Sequence, residues 1–168
     1  MKLDKELLDS ITQKAKENPR LRMNHNLHDS LDSKVQRLFN ALEPGTVLPI
    51  HRHQNTDETY ILIRGKIEVI FYDDDKNVID RFIMCQEEGN FGVHIPKGTW
   101  HTIEIMESGS VIFEVKEGPY QPISENDILY FYVFWNMNEI ITNLFFYKKT
   151  LDFNIYIYDV CNRKRNKA

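Results

Sequence analysis

Residues 45–65 read GTVLPIHRHQNTDETYILIRG, and the gaps between the glycines, histidines and acid in that stretch constrain the chain more than any other feature. From Gly45 there are five residues to His51, then one to His53, four to Glu58 and six to Gly65. In an extended segment residues i and i+2 project to one face. His51 and His53 therefore present two imidazoles side by side, and Glu58 shares the face of Tyr60 and Leu62. Glycine tolerates the positive φ of tight turns, so Gly45 and Gly65 suit bends that bring neighbouring strands together. Some forty residues on, IPKGTWH places His101 behind a second turn, Pro96-Lys97-Gly98.

The rest of the chain supports a strand-rich fold. Short runs at 35–42, 59–63, 66–72, 78–84, 91–95, 102–106 and 111–115 are bounded by Gly, Pro, Asp, Asn or Ser. Many short strands at near-regular spacing point to an all-β sandwich or small barrel, not to βαβ units. One helix precedes them: Leu3, Leu7, Ile11 and Ala15 recur every fourth residue, and the pattern stops near Asn18-Pro19. The polar arm 20–28, with Arg22, Asn24, His25, Asn26 and His28, reads as extended or looped. The organisation expected is one domain: helix and arm over 1–34, barrel over 35–127, and a C-terminal extension over 128–168. That extension carries eleven of the chain's twenty aromatic residues.

Three imidazoles and one carboxylate on strand-like segments, His51, His53, Glu58 and His101, form a metal-ligand set. On a six-coordinate ion they leave one or two positions for water or substrate. The spacing does not choose among Zn, Fe, Ni and Mn as the divalent transition metal, because most nitrogen and oxygen sites rank such ions alike. Tyr60 is expected to face the interior beside Glu58, as a core residue or as a catalytic donor to substrate. Trp100 and Arg52 are expected to point away from the metal. His94 is expected to be satisfied locally or to face solvent. The run Glu114-Val115-Lys116-Glu117 lies near a strand end and reads as solvated charge. Cys85 and Cys161 fit neither a CxxC pair nor a disulfide framework.

GTVLPIHRHQNTDETYILIRG resembles the first conserved motif of the cupin superfamily at every fixed position, and GVHIPKGTWHTIEI resembles the second with two departures. The glycine expected six residues before Pro96 falls on Asn90, with Gly89 one place off, and an expected asparagine is Ile105. PRLRMNHNLHDSLDSKVQRLFNALEPGT, HRH, IPKGTWH and VIFEVKEGPY together resemble the WbuC family of cupin-fold metalloproteins, whose members are associated with gene clusters for O-antigen and other surface polysaccharides. The resemblance implies a jelly-roll barrel with a metal centre. It also makes Arg22, Asn24, Asn26 and His28 candidate substrate-binding residues at the barrel mouth.

Charge and length narrow the partners. A net charge of −4 argues against an obligate nucleic-acid partner, which needs a basic face. The N-terminal stretch carries acids where a signal peptide has an apolar core, and the longest uncharged run, 128–138, is short of the ~20 residues of a membrane-spanning helix. A soluble, cytoplasmic protein is expected, as a homodimer, with a small-molecule substrate of the carbohydrate class. The function expected is a metal-dependent cupin acting on a sugar or sugar nucleotide in polysaccharide biosynthesis, as an isomerase or epimerase. Its rivals are a non-haem iron dioxygenase, a non-catalytic sugar-binding module, and a metal-free epimerase built on a His–Asp pair.

Overall fold

The structure is a computed structural model that describes residues 1–130. The aromatic-rich stretch expected as a C-terminal element therefore lies, from residue 131 on, outside the described residues. The chain opens with helix α1 (Lys5–Glu17) and continues through ten strands: β1 (Arg22–Asn26), β2 (Val35–Leu42), β3 (Ile50–His51), β4 (Glu58–Arg64), β5 (Lys66–Tyr72), β6 (Val78–Cys85), β7 (Gly92–Ile95), β8 (Trp100–Ile105), β9 (Ser110–Glu117) and β10 (Ile128–Leu129). They form two five-stranded sheets, ordered β1-β2-β9-β4-β7 and β10-β3-β8-β5-β6. Every pairing is antiparallel. The arm 20–28 is thus largely a strand, hydrogen-bonded to β2, and the sheets extend past the segment 35–127 at both ends.

Alternation explains how the sheets close on each other. In β4 Glu58, Tyr60 and Leu62 are buried, whereas the residues between them are half-buried or exposed. The inward residues Leu42, Tyr60, Leu62, Ile67, Val69, Met84, Ile95, Ile103 and Ile112 make one apolar core between the sheets. Each fully buried aliphatic side chain there contributes about 1.5–3 kcal/mol relative to exposure. The core fills one part of the barrel, and the inward face beyond it is polar.

The helix packs on the outside of the first sheet. Asp4 caps it, its carboxylate accepting from the Leu7 N–H at 3.2 Å, and Lys14 and Lys16 sit in the last turn, where they complement the helix dipole. Ile11 and Ala15 bury against Phe39, Ala41 and Val111, the outward residues of β2 and β9. Arg64 ties the two layers together: its guanidinium donates to the Gly109 carbonyl at 3.1 Å and to Thr12 Oγ1 at 2.5 Å, and it pairs with Asp9.

The turns behave as the glycines foretell. Gly65 has φ +87° between β4 and β5, and Gly45 has φ +91°. The irregular second motif has a local cause. Gly89 takes the left-handed conformation one place early, at φ +81°, and Asn90 closes the bend by donating its side-chain amide to the Ile83 carbonyl at 3.0 Å.

Candidate metal centre

β3, the loop after it, β4 and β8 bring four side chains to one inward spot. His51 pairs with His101 across β3 and β8. His53 follows the end of β3, where its carbonyl accepts from the Gly98 N–H at 2.7 Å and holds the loop against the Pro96 turn. Donor atoms of His51, His53 and Glu58 all lie within 4.8 Å of one another. That is close to the ~4.2 Å ceiling for two donors on one ion with ~2.1 Å bonds. His101 Nε2 is 3.2 Å from Glu58 Oε2, and the rings of His51 and His101 are 4.4 Å apart.

The tautomers suit metal binding. His51 Nδ1–H donates to the Pro49 carbonyl at 3.0 Å and His101 Nδ1–H to the Thr99 carbonyl at 2.9 Å. A carbonyl only accepts, so in each ring the proton sits on Nδ1 and the Nε2 lone pair is left free. His101 Nε2 is buried and has no hydrogen-bond partner among the described residues. Burial, reinforced by the neighbouring His101, pushes the His51 pKa down to about 3, so the ring is neutral and keeps its lone pair. An orphaned buried nitrogen beside the neutral His51 ring, a third imidazole and a carboxylate is the donor chemistry of a divalent transition ion. His51, His53 and Glu58 would hold it, with His101 as the fourth donor.

Glu58 is the hub of the charge network. It is 2% exposed. Burial works to raise its pKa, but the imidazoles of His101 and His53 against its oxygens and the Lys116 charge override burial and hold it well below the usual carboxylate range. Tyr60 donates its O–H to Glu58 Oε2 at 2.9 Å. Burial, with the Glu58 charge beside it, raises the Tyr60 pKa well above normal, so the phenol stays protonated and orients the carboxylate.

Two residues at this hub escaped the sequence reading. Glu114 and Lys116 are not solvated: Glu114 is buried, and Lys116 Nζ bridges Glu58 Oε1 at 3.0 Å and Glu114 Oε1 at 3.1 Å. Register is the reason. Ile112, Glu114 and Lys116 pair with Leu62, Tyr60 and Glu58 on β4, so they share the inward face. The parity of β9 could have revealed this, but its residues 111–113 are apolar on both faces, so the sequence alone does not say which face is inside.

The polar arm divides. Arg22, Asn24 and Asn26 pair with Leu42, Asn40 and Leu38, and Leu42 belongs to the inner core, so these three project to the inward side of the sheet. Asn40 lies beside Asn24, and its buried Oδ1 has no partner among the described residues. His28 stands apart: it is buried and accepts from the Arg37 N–H through Nδ1 at 3.1 Å, which fastens the arm's end to β2. His94 is exposed and meets Thr59 Oγ1 at 3.1 Å. Arg52 turns outward, stacked 4.1 Å over the Trp100 ring and paired with Asp127 at 3.1 Å.

Two antiparallel sheets in this strand order, with His51, His53 and Glu58 grouped on the inward face and His101 against Glu58, define a jelly-roll-type β fold with a candidate metal centre. A family model described as a domain of unknown function, DUF6016, matches residues 3–84. Among solved structures the chain is similar to the cupin domain of Schizosaccharomyces pombe Cnp3, at 13% identity and TM-score 0.47, over 57% of this chain and 64% of that one. It is also similar to a putative sugar phosphate isomerase from Acidithiobacillus ferrooxidans, at 18% identity and TM-score 0.47, over 58% and 59% of the two chains. A third is the capsular polysaccharide assembling protein CapF of Staphylococcus aureus, at 18% identity and TM-score 0.47, over 60% of this chain and 30% of that one. The match thus spans less than two thirds of each of these three chains. No curated protein matches the chain. Among the described residues no helix is long and apolar enough to cross a membrane.

Proposed function

We propose that the protein is a metal-dependent cupin that acts on a sugar or sugar nucleotide as an isomerase or epimerase, in the making of surface polysaccharide. The observation that carries this reading is the buried cluster of His51, His53, Glu58 and His101, with the Nδ1 protons of His51 and His101 tied to carbonyls and their Nε2 atoms free. A bound divalent ion would supply Lewis acidity toward a carbonyl or vicinal oxygens. The chain's own groups do the rest. Tyr60 fixes Glu58, and the inward polar groups of Arg22, Asn24 and Asn40 suit the hydroxyls of a carbohydrate. The polysaccharide setting rests on the resemblance of the arm and both motifs to the WbuC family, and a homodimer belongs to the same reading.

Elemental analysis of protein purified without added metal is the first test, followed by a thermal-shift screen of sugar nucleotides. Zinc, nickel or manganese with sugar turnover supports the proposal. Iron with oxygen consumption moves the assignment to a dioxygenase, and a tight ligand without turnover moves it to a binding module. If Glu58→Ala and His101→Ala abolish the metal and leave turnover unchanged, the mechanism is wrong. Size-exclusion chromatography with light scattering tests the dimer.

A further inference from the structure

A cavity of ≈190 Å³ lies beside the candidate centre. Among the residues that line it, His53 and Lys116 also touch Glu58, so they form the wall shared by the cavity and the cluster. Much of the remaining lining is amide and hydroxyl: Gln54, Asn55, Thr56, Gln121 and Ser124. That volume corresponds to about six waters at ~30 Å³ each. It falls below the ~300 Å³ at which pockets for drug-sized ligands begin. The cavity therefore suits a fragment of one ring with hydroxyls.

Charge selects further. Lys116 is held by two carboxylates, Glu58 and Glu114, at 3.0 and 3.1 Å. Its ammonium and a divalent ion would claim the same Glu58 carboxylate. With the ion in place, one of the three N–H donors of Lys116 is freed while Glu114 still anchors the side chain. At the Glu58–Glu114–Lys116 hub two carboxylates, one ammonium and a dication leave a local excess of about one positive charge, while in the cavity wall Arg52 and Asp127 offset each other and Glu117 is exposed to solvent. Buried uncompensated charge is costly. A ligand oxyanion at Lys116 restores neutrality.

We infer that Lys116 is a ligand-binding residue: it takes the carboxylate or phosphate of a hydroxylated, single-ring molecule seated in this cavity, an inference that rests on the metal centre proposed above. The two anion sources share their chemistry and differ in the probe that reports them.

The test uses the full chain and two separate readouts. Zn²⁺ alone is titrated first, by competition with a chromophoric chelator. The zinc-loaded protein is then titrated calorimetrically with D-glucuronate, glucose 6-phosphate and glucose. One of the anions is expected to bind at least about tenfold more tightly than glucose, in line with the strength of a charge-assisted hydrogen bond. Glucuronate identifies a carboxylate ligand and glucose 6-phosphate a phosphate. Lys116→Met should abolish that preference while zinc affinity is kept or rises, because the cation competing for Glu58 is gone. Lys116→Arg should restore part of the preference. Anions that bind no better than glucose, or a Lys116→Met protein that binds them like wild type, overturn the inference. Should Lys116→Met fail to fold, Glu114→Gln carries the same test. It removes the competing carboxylate and should tighten anion binding severalfold, and unchanged or weaker binding overturns the inference. Zinc uptake without anion preference sinks this inference alone, whereas no zinc uptake sinks the metal centre and this inference with it.

Discussion

Gly65→Ala should cost a large share of the domain's stability, although it adds a single methyl group. At φ +87° an alanine is held in a left-handed conformation, which costs about 1–2 kcal/mol. The new Cβ would also lie 2.3 Å from Ser110 Oγ and 2.7 Å from Ser110 Cα. The second clash is with backbone, so a side-chain rotation does not relieve it. Ser110 is fully buried. Its hydroxyl accepts from the Lys66 N–H at 3.1 Å and donates to the Glu107 carbonyl at 2.7 Å. Shifting it weakens two hydrogen bonds worth about 0.5–1.5 kcal/mol each. A loss of about 2–5 kcal/mol follows, against a typical total of about 5–15 kcal/mol. Urea unfolding followed by circular dichroism reads it, as a lower midpoint at unchanged slope. The double variant Gly65→Ala with Ser110→Gly removes the serine side chain, leaving the conformational cost and the clash with the backbone of residue 110. Its comparison with Ser110→Gly alone should show a smaller penalty. A loss below about 1 kcal/mol for Gly65→Ala, well under the conformational and hydrogen-bond costs together, would refute the close approach of the β4–β5 turn to β9.

The other predictions concern the site. His101→Ala should lower the metal found by elemental analysis from near one ion per chain to a small fraction, with the far-ultraviolet spectrum retained; full occupancy in the variant would remove His101 from the ligand set. Adding zinc at a hundredfold excess over its dissociation constant should stabilise the fold by about 2.7 kcal/mol, and a chelator should reverse the shift in Tm. Tyr60→Phe keeps the ring in the core and removes one donor to Glu58, so it should weaken metal binding severalfold while shifting Tm little; equal metal affinity would mean that Tyr60 does not orient the carboxylate. Metal-free protein should lose stability as pH falls from about 6.5 toward about 3. In that window an unfolded His51 takes up a proton and the folded one does not, so this residue alone contributes a slope of up to about 1.4 kcal/mol per pH unit. His51→Gln should flatten that limb in chemical denaturation at stepped pH, and an unchanged slope would show that the buried ring is not the cause.

Much of the architecture follows from residue order because its signals are local. Helix α1 is written in a four-residue apolar repeat that stops near Asn18-Pro19, and the β-turns are written in Gly45, Gly65 and Pro96-Lys97-Gly98. The meeting of His51, His53, Glu58 and His101 could be anticipated because strand geometry fixes which face a side chain takes once the turns are known. What parity could not give was the face of a strand that is apolar on both sides, and so Glu114 and Lys116 read as solvated charges.

The sequence by itself determined the all-β class and the leading helix, since each depends on spacing within a few residues, and it pointed to His51, His53, Glu58 and His101 as a candidate ligand set. Only the tertiary structure decided that β9 turns Glu114 and Lys116 inward onto Glu58. It alone sends Arg22, Asn24 and Asn26 to the inner face while His28 is spent on fastening the arm to β2. Those outcomes are set by cross-strand register between segments as far apart as residues 22 and 116, and register is a property of the whole sheet, in which a shift of one residue sends every side chain to the opposite face.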